Sequence, residues 1–133
     1  MGTEEMAMKT VLVVDDEQAM LRVFARMLDG IGCRTLLCCT PQQALEALAG
    51  TKADVIVCDQ SLPGMTGLQF LRHARDMQPH TERLLMSGYV DKRMAADAIA
   101  SGDIAGIIHK PFDTARVMDR IAQAIRTGTR SNG

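Results

Sequence analysis

Two kinds of hydrophobic spacing alternate along the chain. Residues 10–14, Thr-Val-Leu-Val-Val, form an unbroken apolar run rich in β-branched side chains, the pattern of a strand buried on both faces of a parallel sheet. The run stops at Asp15 and Asp16. From Gln18 onward Met20, Phe24, Met27, Leu28 and Ile31 recur every three or four residues, which predicts a helix with one apolar stripe, ended by Gly30 and Gly32. The scheme then repeats. Residues 33–39 predict a strand, Thr40 the N-cap and Pro41 the first position of a helix whose inward stripe is Ala44, Leu45 and Leu48 before Gly50. Residues 54–58 predict a third strand ending at Asp59, residues 60–67 a loop punctuated by Pro63, Gly64 and Gly67, and residues 68–77 a helix. Residues 82–86 predict the fourth strand with Ser87-Gly88 as its turn. Residues 92–101 predict a helix with Met94, Ala95, Ala98 and Ile99 inward, stopped by Gly102. Residues 104–108 predict the fifth strand. Lys110-Pro111-Phe112 breaks it, and Asp113 caps a last helix with Val117, Ile121, Ala124 and Ile125 on one face. Residues 1–8 and 127–133 carry no periodicity, so a mobile arm and a flexible tail or linker remnant are expected around one domain of residues 9–126.

Five strands each followed by a helix predict an α/β fold, a parallel sheet with right-handed crossovers and helices on both faces. A closed eight-unit barrel needs about twice this length. The common open arrangement has strand order 2-1-3-4-5. Its crevice lies beyond the carboxyl ends of the strands, between strands 1 and 3 where the order reverses.

Composition narrows the function. The chain has 133 residues, 15 Lys+Arg against 16 Asp+Glu, a net charge of −1 and 3% aromatic residues. It lacks both the basic surplus and the stacking platforms of a direct nucleic-acid binder. No stretch approaches the ~20 apolar residues that span a bilayer, and the N-terminus is acidic where a signal peptide is basic, so no membrane partner and a cytoplasmic location are expected. Cys33, Cys38, Cys39 and Cys58 form no CxxC pair. They are expected to be reduced core residues, and adjacent Cys38 and Cys39 to point to opposite faces. His73, His80 and His109 are too scattered for a zinc site.

The crevice of such a sheet collects Asp15 and Asp16 after strand 1, Asp59 after strand 3, Ser87 after strand 4 and Lys110 after strand 5. Three converging carboxylates repel one another and raise at least one pKa unless they share a cation. A hard divalent ion suits them, and magnesium takes one or two carboxylates, a carbonyl, waters and a substrate phosphate. Lys110 and Ser87 offer a positive charge and a hydroxyl donor to phosphoryl oxygens, and the remaining carboxylate can serve as a nucleophile that forms an acyl phosphate. Singly, each residue has a plainer reading. Asp15-Asp16-Glu17 suits a helix N-terminus, Asp59 a turn, Ser87-Gly88 a turn pair, and Lys110 a solvated surface. Those readings together would gather five compatible groups at one sheet edge by coincidence, so the pattern points to a shared site.

The segments Val-Leu-Val-Val-Asp15-Asp16-Glu17, Val-Ile-Val-Cys-Asp59 with Leu62-Pro63-Gly64-Met65 and Gly67, Leu-Leu-Met-Ser87-Gly88, and Lys110-Pro111-Phe112 make the chain resemble the receiver domains of two-component response regulators across residues 9–126. The resemblance implies a flavodoxin-like fold and a phosphoryl group accepted by Asp59 from a histidine kinase or histidine phosphotransferase. It further implies magnesium held by Asp16, Asp59 and the Ser61 carbonyl, with Asp15 acting mostly through water. Ser87 would contact the phosphoryl group, Lys110 would pair with it, and Lys110-Pro111 would be a cis bond. Where many receivers carry an aromatic residue three positions before the lysine, this chain has Ile107, so Ile107 would repack or Tyr89 would take over the moving role. In the family the lifetime of the phosphoryl group depends on the positions held here by Ser61 and Tyr89.

Residues after 126 are too few for an output domain, so the chain is expected to be a single-domain regulator or the receiver of a longer protein. The signal would leave through the face made by residues 92–101, 104–108 and 113–126. Lys92, Arg93, Arg116 and Arg120 are interleaved there with Asp97, Asp103 and Asp119, a mixture compatible with a homodimer and equally with a solvated surface. Two rival readings are an aspartyl-phosphate hydrolase, which would want an acid where Ser61 stands, and a receiver-like scaffold that is never phosphorylated.

Overall fold

The computed structural model describes residues 9–89 and 91–131. In chain order the elements are β1 (Thr10–Val14), α1 (Gln18–Ile31), β2 (Arg34–Cys38), α2 (Pro41–Gly50), β3 (Val55–Asp59), α3 (Gly67–Met77), β4 (Glu82–Ser87), α4 (Lys92–Ser101), β5 (Gly106–His109) and α5 (Thr114–Ser131). The strands form one sheet in the order β2-β1-β3-β4-β5, every pair parallel. This is the expected α/β architecture, with the order reversing between β1 and β3.

Alternation along the central strands divides the core in two. Val11 and Val13, Val55 and Val57, and Leu84 and Met86 face α1 and α5, joining Phe24, Leu28, Ile121 and Ile125. Leu12 and Val14, Ile56 and Cys58, and Leu85 face the other way, onto Leu48, Phe70, Leu71 and Ala98. Each large apolar side chain moved from water into these layers contributes about 1.5–3 kcal/mol. The layers therefore hold the strand ends in a fixed register.

Local signals set the helix ends. Thr40 Oγ1 accepts the Gln43 N–H at 3.1 Å with Pro41 behind it, and Gly32 and Gly102 close α1 and α4 in the left-handed conformation. Asp113 Oδ1 accepts the Ala115 N–H at 2.9 Å at the start of α5. Cys38 packs on the α2 side of the sheet and Cys39 on the α1 side, as their adjacency in an extended segment requires. All four cysteines are free thiols, but only Cys38 and Cys58 are buried, Cys33 and Cys39 being partly exposed.

The structure also differs from the periodicity in places. Ile99 is 47% exposed rather than inward: Met94, Ala95 and Ala98 form the narrow stripe, and Ile99 lies about 100° further round the helix than Ala98. Leu21 is buried in α1 while Met20 and Ile31 only flank the core. β5 begins at Gly106, and Ile104 is buried in the turn before it. The helical backbone of α5 runs on through Ser131, so residues 127–131, expected as tail, extend the helix. The expected arm, residues 1–8, and residues 132–133 lie outside the described residues.

Candidate functional site

Parallel strands deliver their carboxyl ends to one edge, and the polar residues that end the apolar runs build the site there. Asp15 comes directly after β1, Asp59 and Ser87 are the last residues of β3 and β4, and Lys110 comes directly after β5. Asp59 sits opposite Met86, and Ser87 opposite His109. The Lys110 N–H donates to the Ser87 carbonyl at 2.9 Å, extending the ladder by one residue. The Lys110-Pro111 peptide is cis, as the resemblance implied.

One ligand oxygen from each of Asp15, Asp16 and Asp59 lies within 4.8 Å of the others. Lys110 Nζ is 3.1 Å from Asp59 Oδ1 and 3.8 Å from Asp15 Oδ2. Asp15 is wholly buried. Its Oδ1 accepts the Glu17 N–H at 2.9 Å, while its Oδ2 has no hydrogen-bond partner. Burial pushes the Asp15 carboxyl above its ordinary pKa and the Asp59 charge adds to this, against the Glu17 N–H and Lys110. Burial also works against the Lys110 ammonium, but the hydrogen bond to Asp59 and the charges of Asp59, Asp15 and Glu17 outweigh it and hold its pKa up.

The donor set fits a hard cation. Three carboxylates gather round one lysine charge, and a buried oxygen is left unpaired, a costly state that an oxygen-seeking divalent ion relieves. The plainer reading of the acids as a helix cap explains only part of the set: Asp15 Oδ1 takes the Glu17 N–H at the start of α1, but Asp15 Oδ2 stays unpaired. Glu17 is the N-cap of α1 and makes no side-chain cap bond, and neither Asp15 nor Asp16 replaces it.

Ser87 is at the site, but its hydroxyl donates to the Tyr89 carbonyl. Ser61 is exposed in the β3–α3 loop and lines a cleft of about 480 Å³ with Asp59, Gln60, Ser87, Gly88, Tyr89, Asp91 and Met94. Tyr89 is 83% exposed. Ile107 is partly buried against the layer of Leu85 and Phe70. Asp91 and Met94 were missed as cleft residues. Asp91 could have been found only as a helix N-cap, which it is: its Oδ1 accepts the Arg93 and Met94 N–H groups at 2.9 and 3.1 Å.

Gly67 fixes the loop beneath Asp59. Its N–H donates to the Gln60 carbonyl at 3.0 Å, and Gln60 Oε1 accepts the Leu68 N–H at 3.0 Å. A Cβ at Gly67 would overlap the Asp59 carbonyl oxygen and stand 2.9 Å from its carbon. Only glycine lets α3 start this close to β3.

The family model described as response regulator receiver domain matches residues 11–122. The chain is 38% identical over 119 residues to the hydrogenase transcriptional regulatory protein HoxA of Cupriavidus necator, covering 87% of this chain and 24% of HoxA. It is 31% identical over 116 residues to the transcriptional regulatory protein FixJ of Bradyrhizobium diazoefficiens, covering 87% of this chain and 56% of FixJ. It thus spans about a quarter of the one relative and just over half of the other. Among solved structures, the signal receiver domain of an HD domain-containing protein from Pseudomonas fluorescens superposes with a TM-score of 0.86 at 25% identity, covering 95% of this chain and 93% of that one. With the family's α/β fold, strand order and acidic cluster all present, the chain belongs to the response regulator receiver domains, the phosphoacceptor modules of two-component signalling.

Proposed function

We propose that Asp59 is the phosphoacceptor. One observation carries this assignment: of the three clustered carboxylates only Asp59 lines the open cleft, and it does so with Lys110 Nζ at 3.1 Å. An Asp59 carboxylate oxygen attacks the phosphorus of a phosphohistidine in line with the P–N bond. The O–P bond forms as the P–N bond breaks, the electron pair leaves with the imidazole, and an acyl phosphate remains on Asp59. The Lys110 ammonium, kept charged by its carboxylate neighbours, neutralises the equatorial oxygens. The Ser87 hydroxyl turns from the Tyr89 carbonyl to a phosphoryl oxygen.

Asp16, Asp59 and the Ser61 carbonyl would hold magnesium, with Asp15 acting through water and its unpaired Oδ2. The ion supplies charge neutralisation at the phosphoryl oxygens. The donor is a histidine kinase or histidine phosphotransferase. An apolar cleft of about 450 Å³ formed by Met20, Val23, Pro111 and Phe112 opens beside the Lys110 stem and suits contact with such a protein. A cytoplasmic site of action accords with that donor, and no described helix is long and apolar enough to cross a membrane. Output through the α4–β5–α5 face, with or without a homodimer, completes the reading.

Incubation with magnesium and acetyl phosphate, followed by the intact mass, tests the assignment. One phosphoryl group is expected per wild-type chain and none on Asp59→Asn. A gain that survives the substitution moves the acceptor elsewhere. Rapid turnover of a phosphate ester would favour the hydrolase reading instead.

A further inference from the structure

The cleft over Asp59 carries a charge that transfer to Asp59 does not itself use. Asp59, 5% exposed, lies at the floor of the cleft. Asp91, the exposed N-cap of α4, lines the same cleft at its rim. Both cap bonds, from the Arg93 and Met94 N–H groups, fall on Asp91 Oδ1, so Oδ2 is not committed to the helix. Among the described residues no lysine or arginine lines the cleft. Lys110 reaches Asp59 without being part of the cleft wall, and Lys92 and Arg93, which follow Asp91 in α4, are exposed beyond it. An incoming group therefore meets one fixed negative charge at the rim before it meets Asp59.

In-line transfer puts the leaving atom on the far side of phosphorus from the attacking Asp59 oxygen, which is the rim side. The leaving group thus departs past Asp91. Two kinds of donor differ there. A donor with a P–N bond carries positive charge on its leaving group: the second ring N–H of a phosphohistidine imidazolium, or the protonated amino group of phosphoramidate. An acyl phosphate such as acetyl phosphate releases a carboxylate, which is negative. A carboxylate at the rim accepts a charge-assisted hydrogen bond from the first kind and repels the second.

We propose that Asp91 is a specificity-determining residue of the transfer, selecting donors whose leaving group is a protonated nitrogen base over donors that release an anion. This rests on Asp59 being the acceptor. Asp91 Oδ2 accepts the N–H of the leaving group while the Asp59 oxygen forms its bond to phosphorus and the P–N bond breaks. The electron pair of that bond stays on nitrogen. Because the group is already protonated it leaves neutral, as imidazole from a phosphohistidine or as ammonia from phosphoramidate. Asp91 holds the proton on the departing group, so none has to be supplied during the step.

The rates at which the full chain with magnesium takes a phosphoryl group from phosphoramidate and from acetyl phosphate, read by intact mass, test the selection. Asp91→Asn and Asp91→Ser each keep a side-chain acceptor suited to an N-cap and remove the charge. Both donors are compared on the same sample, so any loss of folded protein cancels in the ratio of the two rates. An exposed charge moves each rate only a few-fold. Acting on the two donors with opposite sign, its removal should lower the phosphoramidate-to-acetyl phosphate ratio about tenfold in both variants. Unless the ratio falls in both, the role of Asp91 in selection is overturned, and equal slowing with both donors would leave it a helix cap alone. Asp59→Asn should take no phosphoryl group from either donor. A gain of mass in that variant, or none in wild type, overturns the acceptor assignment and the role of Asp91 with it.

Discussion

Asp15 Oδ2 and Lys110 Nζ face each other at 3.8 Å without a hydrogen bond, while the same ammonium makes its 3.1 Å contact with Asp59. The lysine is thus committed to the carboxylate at the cleft and leaves the deeper one unsatisfied. The domain carries a buried charge that weakens its own folding and prepares it for a cation.

The folded state raises the Asp15 pKa, so the ionised carboxylate costs stability at neutral pH, and this cost fades as pH falls and the group protonates. Asp15→Asn keeps the acceptor for the Glu17 N–H and removes the charge. In a chelator at pH 7 it is expected to be more stable by about 1 kcal/mol, a rise of about 4 °C in Tm. Magnesium, which should raise the wild-type Tm, should raise that of the variant less, since Asp16 and Asp59 remain to hold the ion. Thermal unfolding with and without magnesium checks both, and a lower Tm for the variant in chelator contradicts the account.

Lys110 competes with a cation for Asp59 and also neutralises the transferred group, so its removal should have opposite effects on the two. Lys110→Ala is expected to tighten magnesium binding, read by calorimetry. It is also expected to slow phosphorylation by acetyl phosphate about 100-fold, the size of losing one preorganised donor. Weaker magnesium binding in the variant would assign the lysine a structural role.

Gly67→Ala sets a methyl group against the Asp59 carbonyl and the Gln60 Cα, backbone atoms that cannot swing aside. It should cost about 1–3 kcal/mol in urea unfolding, as overpacking does. It should also slow phosphorylation, because relief must come from the segment that aims Asp59. An unchanged phosphorylation rate with full stability would show that the loop yields without moving the site.

The hydrogen bond from Arg72, with further ones from Arg75 and Ser101, holds the Asp103 carboxyl below its ordinary pKa of 3.8 against the effect of burial. A lowered pKa means the carboxylate stabilises the fold above the ordinary value, and that contribution is lost as pH falls through the folded value. Arg72 and Arg75 are well exposed, so solvent screening limits the effect to about 1 kcal/mol. Denaturation of wild type and Asp103→Asn should differ by roughly that amount from pH 7 down to about 5 and converge below the ordinary carboxylate range. A constant gap throughout would remove the charge from the explanation.

Unbroken apolar runs ending at Asp15, Asp59 and Ser87 made the strands and their polar carboxyl-terminal residues legible in the sequence, and parallel pairing is enough to bring those residues to one edge. Thr40-Pro41 and Asp113 marked helix starts because capping is a local interaction. Which carboxylate Lys110 would bind was not legible, since that depends on distances across strands that the hydrophobic layers set. The outward turn of Ile99 depended on how narrow a strip of sheet α4 covers. The cluster at Asp103 joins it to Arg72, Arg75 and Arg83, about 20 to 30 positions away in sequence. Each arginine in it looks like a solvated surface charge until α3, α4 and β4 are packed together. The sequence by itself determined the elements, their order and the chemical groups at the sheet edge, because periodicity and capping act over a few residues. The tertiary structure alone decided which buried oxygen goes unpaired and which arginines meet Asp103, because electrostatics and packing act between neighbours in space.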